Sequence, residues 1–500
     1  MKIGKYILSL DQGTTSSRAV LFDAMGGIAG MGQREFTQIY PKPGYVEHDA
    51  VEILQTQLYA MRQAVADAGI TADDIAAISI TNQRETTVAW DSVTGIPICN
   101  AIVWQCRRTA PICEWLKAEG WEDYIKETTG LIIDPYFSGT KMKWILDNEP
   151  RAKELAEQGR LRFGTIDTWL IFCLTEGASY VTDVTNASRT MLFDIKKLCW
   201  DEKLLDLFGV PMSALPKVVS SSEIVGDCAD SVFGRPIPIA GIAGDQHAAL
   251  FGQCCFTKGM AKNTYGTGCF VLMNTGSTPV YSEQGLLTTI GWKIGVDVTY
   301  ALEGSAFNAG SAIQWLRDEV KLIQNPQEAD ALAETVSDTG GAVFVPAFTG
   351  LGAPYWDMYA RGALLGVTRG TGKAHICRAV LESIAYESLD LFRAMERGSG
   401  QPITELRVDG GASRSRFLMQ YQSDILHCTV RQPVCLETTA LGSAMLAGLA
   451  VGVWDSLEEL STIWKLKKEY MPEIEPGEEA TAVNRWHKAV ERCSNWDTEN

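Results

Sequence analysis

Several signatures of common enzyme and binding classes are missing from this 500-residue chain. Its 13 cysteines are scattered and form no CxxC pair, so neither a thiolate zinc site nor a disulfide framework is indicated. The adjacent Cys254 and Cys255 read as small buried residues, and the thiols as reduced. There is no HExxH and no GxSxG, which removes the usual anchors of a zinc hydrolase and of a Ser-His-Asp enzyme. A Walker-type loop is also lacking. The nearest string, VTRGTGKA at 367–374, has Val where the first Gly belongs and Ala where Ser or Thr belongs. No GxGxxG follows a strand and opens a helix, which weakens a dinucleotide reading. Cationic side chains are in deficit, 44 Lys and Arg against 61 Asp and Glu, for a net charge of -17. That balance argues against a nucleic-acid partner or an anionic membrane surface. The longest apolar stretch, Gly442 to Trp454, falls short of the ~20 residues a membrane helix needs. The opening MKIGKYILSLDQG has too short an apolar run for a signal peptide. The expectation is a cytoplasmic protein without membrane insertion.

What is present is length, glycine and a repeated pattern. Cores stop growing near ~250–300 residues, so 500 residues imply two domains. Tyr6–Leu10 and Arg18–Phe22 read as strands of a hairpin whose turn carries Gly13 and a run of hydroxyls. Ala261–Thr264, YGTGC and Phe270–Asn274 echo it in the second half. We therefore expect domains at 1–253 and 254–500, with the apolar helices at Ile376–Met395 and Thr439–Val451 in the second. Asp49, followed three residues later by Glu52, reads as a capping signal for a helix over Asp49–Gly69. The charged tail from Pro472 is expected to end on the surface.

Four glycine-containing turns can hold phosphate. In DQGTTSSR (11–18), Gly13 lets backbone N–H groups approach oxygen atoms closely. Thr14, Thr15, Ser16 and Ser17 add short donors, Arg18 adds a forked cation, and Asp11 can hold water ligands of Mg2+. The same string can also be a plain solvated hairpin. In AGDQH (243–247), Asp245 lies just past a strand end, where a carboxylate can accept the proton of an attacking hydroxyl. Asp245 is equally suited to cap the helix that follows, and His247 reads as packed. NTYGTGCF (263–270) and VDGGASRS (408–415) lead apolar residues into glycines and small polar side chains. Spread over both halves, the four turns suggest a nucleotide clamped between two lobes.

These residues bring a family into view. The strings DQGTTSSR, ITNQRETT, WQCRR, AGDQHAALFGQ, KNTYGTGCF, VPAFTGLGAPYWD, ARGALLGVTRGT and DGGASRSRFLMQ follow one another along the chain. In that order the chain resembles the glycerol kinases, within the FGGY carbohydrate kinases. YFSGTKMKWILDN (136–148) and GALLGVTRGTGKAHICRAVLE (362–382) are similar to the two signature stretches of the wider family. The resemblance implies an α/β, two-lobed, actin/hexokinase-like (ribonuclease H-like) ATPase fold with duplicated domains and a ligand cleft between them. It implies phosphorylation of glycerol by ATP with Mg2+, and Asp245 as general base. Arg84, Glu85, Trp104, Tyr136, Asp245, Gln246 and Phe270 match the polyol site. Thr14, Thr15, Ser16, Arg18, Thr267, Gly310, Gln314 and Gly411 match nucleotide positions, with Asp11 for the metal. It further implies a homodimer or homotetramer. Rival readings are a pentulose or gluconate kinase of the same family, or a non-catalytic nucleotide switch.

The chain departs from the family pattern in two places. Ser415 stands where the family often carries Asn in DGGAxxN, which weakens or removes an adenine contact. The segment DCADSVFGRPIP (227–238) keeps Arg235 but lacks the glycine-rich run associated with fructose 1,6-bisphosphate inhibition. No histidine lies between His48 and His247, so regulation by histidine phosphorylation in that region is not expected.

Overall fold

A strand that is apolar on both faces must be covered on both faces, and three such strands place the first sheet. The computed structural model describes residues 5–497. Its first sheet comprises β1 (Tyr6–Gln12), β2 (Ser16–Asp23), β3 (Ile28–Glu35), β4 (Ile75–Asn82), β5 (Ile224–Cys228) and β6 (Ile237–Gly244). Its spatial order is β5-β6-β4-β1-β2-β3, with β1, β4 and β6 mutually parallel. The hairpin β1–β2 and the pair β2–β3 are antiparallel. Residues 83–223, between β4 and β5, form a largely helical insertion around a core that includes Phe137, Phe163 and Phe208.

The second sheet repeats this plan. Its strands are β7 (Ala261–Tyr265), β8 (Cys269–Gly276), β9 (Leu287–Ile294), β10 (Asp297–Ala306), β11 (Glu405–Asp409), β12 (Thr429–Pro433) and β13 (Leu466–Tyr470). The order is β9-β10-β8-β7-β11-β12-β13, with β7, β11 and β12 parallel. Set on the first sheet, β10-β8-β7-β11-β12 superposes in order and sense on β3-β2-β1-β4-β6. The echo between the two hairpins thus extends to whole sheets.

Six helices matter for the site: α1 (Ala50–Ala68), α2 (Asp245–Gly252), α3 (Gly310–Asp318), α4 (Lys373–Ser399), α5 (Arg416–Leu426) and α6 (Thr438–Val451). Asp49 caps α1 by accepting from the N–H groups of Val51 and Glu52. Glu52 does not reach back to complete a capping box. Its carboxylate accepts from Thr37 N and Oγ1, both at 3.1 Å, tying the helix to the chain leaving β3.

The helix α6, expected in the second domain, packs on the first sheet. Ser443 Oγ meets Ser9 Oγ of β1 at 2.8 Å and Ser79 Oγ of β4 at 3.0 Å. Conversely α2, which leaves the first sheet, packs against β7, β8 and β9. The two helices cross in close contact. A Cβ on Gly442 would sit 1.8 Å from Ala248 O, and one on Gly252 would sit 2.0 Å from Thr438 O. One apolar cluster, from Ile7 and Phe22 through Phe251 and Met445 to Leu272 and Trp292, therefore joins the lobes. An apolar all-round helix declares that it is buried, not which sheet buries it. The tail ends on the surface over its last described residues, 495–497, as expected, but it is anchored before that. Ala480–Cys493 is helical, and its Trp486 is fully buried, stacked on Tyr386 and donating to Asp390.

Candidate functional site

In parallel sheets the carboxyl ends of neighbouring strands face one crevice. The register brings Asp11 beside Thr81, Gln12 beside Asn82 and Gly244 beside Asn82. Asp11, the QRE turn after β4 and Asp245 at the start of α2 therefore gather at one edge. Gln83 N donates to Gln12 O at 2.7 Å, fixing that turn to the hairpin.

The hairpin distributes its hydroxyls by strand alternation. Thr15 is exposed at the tip, and Thr14 Oγ1 accepts from Trp104 Nε1 at 2.9 Å, which leaves its own hydrogen to donate. Ser16 Oγ accepts from Gln33 Nε2 at 2.9 Å. Ser17 is buried against Thr56 of α1 and faces away from the crevice, so it leaves the set of candidate donors. Asp11 stands opposite Arg18 across the hairpin. Arg18 forms an ion pair with Glu437, the residue before α6. Among the described residues, Asp11's carboxyl takes no hydrogen bond. Burial pushes it up to about 6 despite Arg18 nearby, with Glu437 and Asp245 adding to the rise. A carboxylate without a protein donor, opposite a single arginine, suits the water shell of a hard cation.

The expected polyol residues meet around a buried charge cluster. Arg84 and Glu85 are 2 % and 1 % exposed, so they are not a surface pair. Arg84 donates from Nη1 and Nη2 to the two oxygens of Glu303, at 2.6 and 2.8 Å, and its Nε lies 3.0 Å from Asp245 Oδ1. Glu85 accepts from Arg189 Nε at 2.6 Å, and Arg189 Nη2 also reaches Glu303 at 3.2 Å. Arg189 lies over the rings of Tyr136 and Phe137. Glu85 has a left-handed backbone (φ 60°), held by Ser138 Oγ and Lys141 Nζ donating to its carbonyl. Asp245 alone among these charges opens to the crevice, at 32 % side-chain exposure. Burial raises its pKa from the usual carboxylate value, and Arg84, then the Gln246 N–H and Lys262, pull it back. Burial likewise pushes Glu303 up, but Arg189 and Arg84 outweigh it and hold the carboxyl far below its ordinary range.

Trp104 and Tyr136 pack edge to face, 5.6 Å between ring centres, and both are half-buried beside this cluster. Gln246 and Phe270 join from the other side. The buried Lys262 of β7 donates to Gln246 Oε1, to Thr264 Oγ1 at 2.9 Å and to Phe270 O at 3.3 Å. Burial lowers Lys262 to about 8, against the pull of Asp409 and Asp245. His247 is buried and meets Thr289 Oγ1 at 3.0 Å, in keeping with a packed histidine.

The second lobe forms its own edge. Thr264 lies beside Asp409 in parallel register, so the Thr267 turn and the Gly411 turn are neighbours. Gly410 adopts φ 85°, and a Cβ there would lie 2.5 Å from Tyr265 O. Gly310 N donates to Gly266 O at 2.9 Å, and Thr267 O accepts from Ala309 and Ser311, which seats the start of α3 on the hairpin tip. Thr267, Gln314 and Gly411 are exposed there. Ser415 is occupied differently. Its hydroxyl caps α5 by accepting from Leu418 N at 3.0 Å and donates to Asp330 Oδ1 at 2.6 Å.

Three residues of the cluster escaped the sequence reading: Arg189, Lys262 and Glu303. The signal for Glu303 was available, because a carboxylate in the buried strand stretch YALEGSA requires a cationic partner. Nothing local marks Arg189.

A duplicated sheet with glycine turns at the carboxyl edges of both lobes, and a polar pocket beside a lone open carboxylate, defines a two-lobed kinase of the actin/hexokinase-like class. Known proteins narrow this. The FGGY family of carbohydrate kinases matches through its N-terminal domain over residues 6–252 and its C-terminal domain over residues 261–451. Glycerol kinase 2 of Thermotoga maritima is 57% identical over 493 residues, 99% of each chain. The glycerol kinase of Symbiobacterium thermophilum is 58% identical over 494 residues, again 99% of each. Among solved structures, Plasmodium falciparum glycerol kinase with ADP aligns at TM-score 0.92 with 39% identity, over 98% of each chain. A ligand-bound xylulose kinase from Lactobacillus acidophilus aligns at 0.86 with 25% identity, over 97% of each. The chain belongs to the FGGY family of carbohydrate kinases.

Proposed function

We propose that this carbohydrate kinase transfers the terminal phosphoryl group of ATP to a primary hydroxyl of glycerol, giving sn-glycerol 3-phosphate. The observation that carries the reading is Asp245. It is the one carboxylate of the buried cluster that opens to the crevice, and it stands beside the Asp11 edge of the phosphate hairpin. A hydroxyl bound there can pass its proton to Asp245 Oδ2 as its oxygen attacks phosphorus, while Oδ1 stays on Arg84 Nε. The remaining Nη1 N–H of Arg84 donates to one substrate hydroxyl and the second oxygen of Glu85 accepts from another. The half-buried Trp104, Tyr136 and Phe270 cover the carbon chain. Thr14, Thr15, Ser16 and Arg18 hold phosphate oxygens from the first lobe; Thr267, Gly310, Gln314 and Gly411 hold the nucleotide from the second. Ser415, engaged with Asp330, has only a remaining lone pair to offer adenine. Asp11 would hold Mg2+ through water, and the ion would neutralise charge on the phosphates. In this division of labour, residues 1–253 carry the phosphate hairpin and most of the polyol site, and residues 254–500 most of the nucleotide site.

Charge favours glycerol over an acidic sugar. Arg84 and Arg189 are already paired with Glu85, Glu303 and Asp245, leaving neither guanidinium free for a substrate carboxylate. The full-length similarity to glycerol kinases points the same way. A coupled assay of ADP release across glycerol, dihydroxyacetone, xylulose and gluconate tests the substrate; glycerol should give the highest kcat/KM. Asp245→Asn should lower glycerol-dependent turnover by at least about 10²-fold. A fall of less than tenfold removes Asp245 as the base.

A further inference from the structure

We propose that Glu303, on β10 of the second lobe, is a positioning residue that sets the geometry of the polyol site in the first lobe. The inference rests on the function proposed above and adds a residue to it. Glu303 is fully buried. Its two oxygens take three charge-assisted hydrogen bonds, two from Arg84 and one from Arg189. Both arginines belong to the first lobe, so the clasp spans the interface between lobes. A bidentate carboxylate fixes a guanidinium in plane as well as in place. With Nη1 and Nη2 committed to Glu303, the Nε edge of Arg84 can only face Asp245. Through Arg189, the same carboxylate also fixes Glu85, whose side chain accepts from Arg189 Nε and lies within 3.9 Å of Arg84 Nε.

Glu303 touches one group expected to bind a substrate hydroxyl, Arg84; it reaches the other, Glu85, through Arg189, and the base through Arg84. Polyol recognition in the first lobe is thereby conditional on the second lobe being in register. Lys262 supplies the matching restraint on Gln246 from β7. The neighbouring carboxylates are already committed, Glu85 to Arg189 Nε and Asp245 to Arg84 Nε, so neither is free to take over the contacts of Glu303.

Two variants test this in the full chain. Glu303→Gln presents an amide N–H₂ to a guanidinium and removes the charge; Glu303→Asp keeps the charge but withdraws it by one methylene. Initial rates are measured with glycerol and with ATP varied separately, alongside ADP affinity by calorimetry. Glu303→Gln should lower kcat/KM for glycerol by about 10²-fold, from a raised KM as well as a lowered kcat. ADP affinity should stay within threefold, and Glu303→Asp should lie between wild type and Gln. A purely structural role would reduce the active fraction, lowering apparent kcat with the glycerol KM unchanged. That result overturns the proposal, as does a kcat/KM within threefold of wild type. If the Gln variant does not fold, the Asp variant decides on the same KM criterion. A wild-type chain that released no ADP with glycerol would instead sink the proposed function.

Discussion

Single side chains here are legible when their type conflicts with their surroundings. Asp245 stood out at a strand end; Arg84 and Glu85 were reached only through the family resemblance. Glu303 was open to the same logic as Asp245 inside an apolar strand. Arg189 was not, since its importance arises only when residues 184–187 fold back and Asn186 pairs with Asn82 across 104 positions. Asp167 shows how a buried charge couples to pH. It is fully buried, accepts from the hydroxyls of Thr165 and Thr182, and is pushed up to about 7, mainly by burial. The ordinary aspartate value is 3.8. Between those two values the folded chain holds a proton that the unfolded chain has released. Stability therefore falls as pH rises through that window and levels off above it. Asp167→Asn cannot titrate. Relative to wild type it should gain up to about 4 kcal/mol between pH 4 and pH 8, the full linkage value for a rise from 3.8 to about 7. Denaturant midpoints measured at both pH values check it; parallel profiles for the two proteins would contradict it.

At the scale of elements, hairpins and capped helices could be read directly. Alternation with a glycine turn marks β1–β2 and β7–β8, and Asp49 marks the start of α1. What could not be read was where apolar helices dock. α6 carries small and apolar residues on every side, so nothing in its pattern favoured the first sheet over the second. Its partner contact is specific nonetheless. Gly442 faces the backbone of Ala248 and Gly252, which has no flexible end to move aside. Gly442→Ala should destabilise the protein by about 3 kcal/mol through overpacking, with little compensation from helix propensity. Because α2 begins at Asp245, activity should fall as well. Chemical denaturation and turnover of the purified variant measure both; unchanged stability would mean the helices can separate freely.

At the scale of the molecule, length alone called for two domains, and the duplicated hairpins hinted at their kinship. The interface between them was beyond reach, since it is made by contacts several hundred residues apart. Arg18 on β2 and Glu437 ahead of α6 form one of these, 419 positions apart. Phosphate arriving at the hairpin competes with Glu437 for that guanidinium. Arg18→Ala should raise the KM for ATP by about tenfold or more, as expected for loss of a charged hydrogen bond, and leave the KM for glycerol within threefold. Steady-state rates with each substrate varied give the answer; an equal rise in both would remove Arg18 from the nucleotide side.

The crossing of α2 and α6 bears on how such a chain can be cut. Severed between its two sheets, the N-terminal fragment would lack the rod that covers β1, β4 and β6. The C-terminal fragment would lack the one that shields β7, β8 and β9. Each piece would expose the greasy face its counterpart was meant to roof, and neither would be a self-sufficient module in the way a bead-on-a-string domain is.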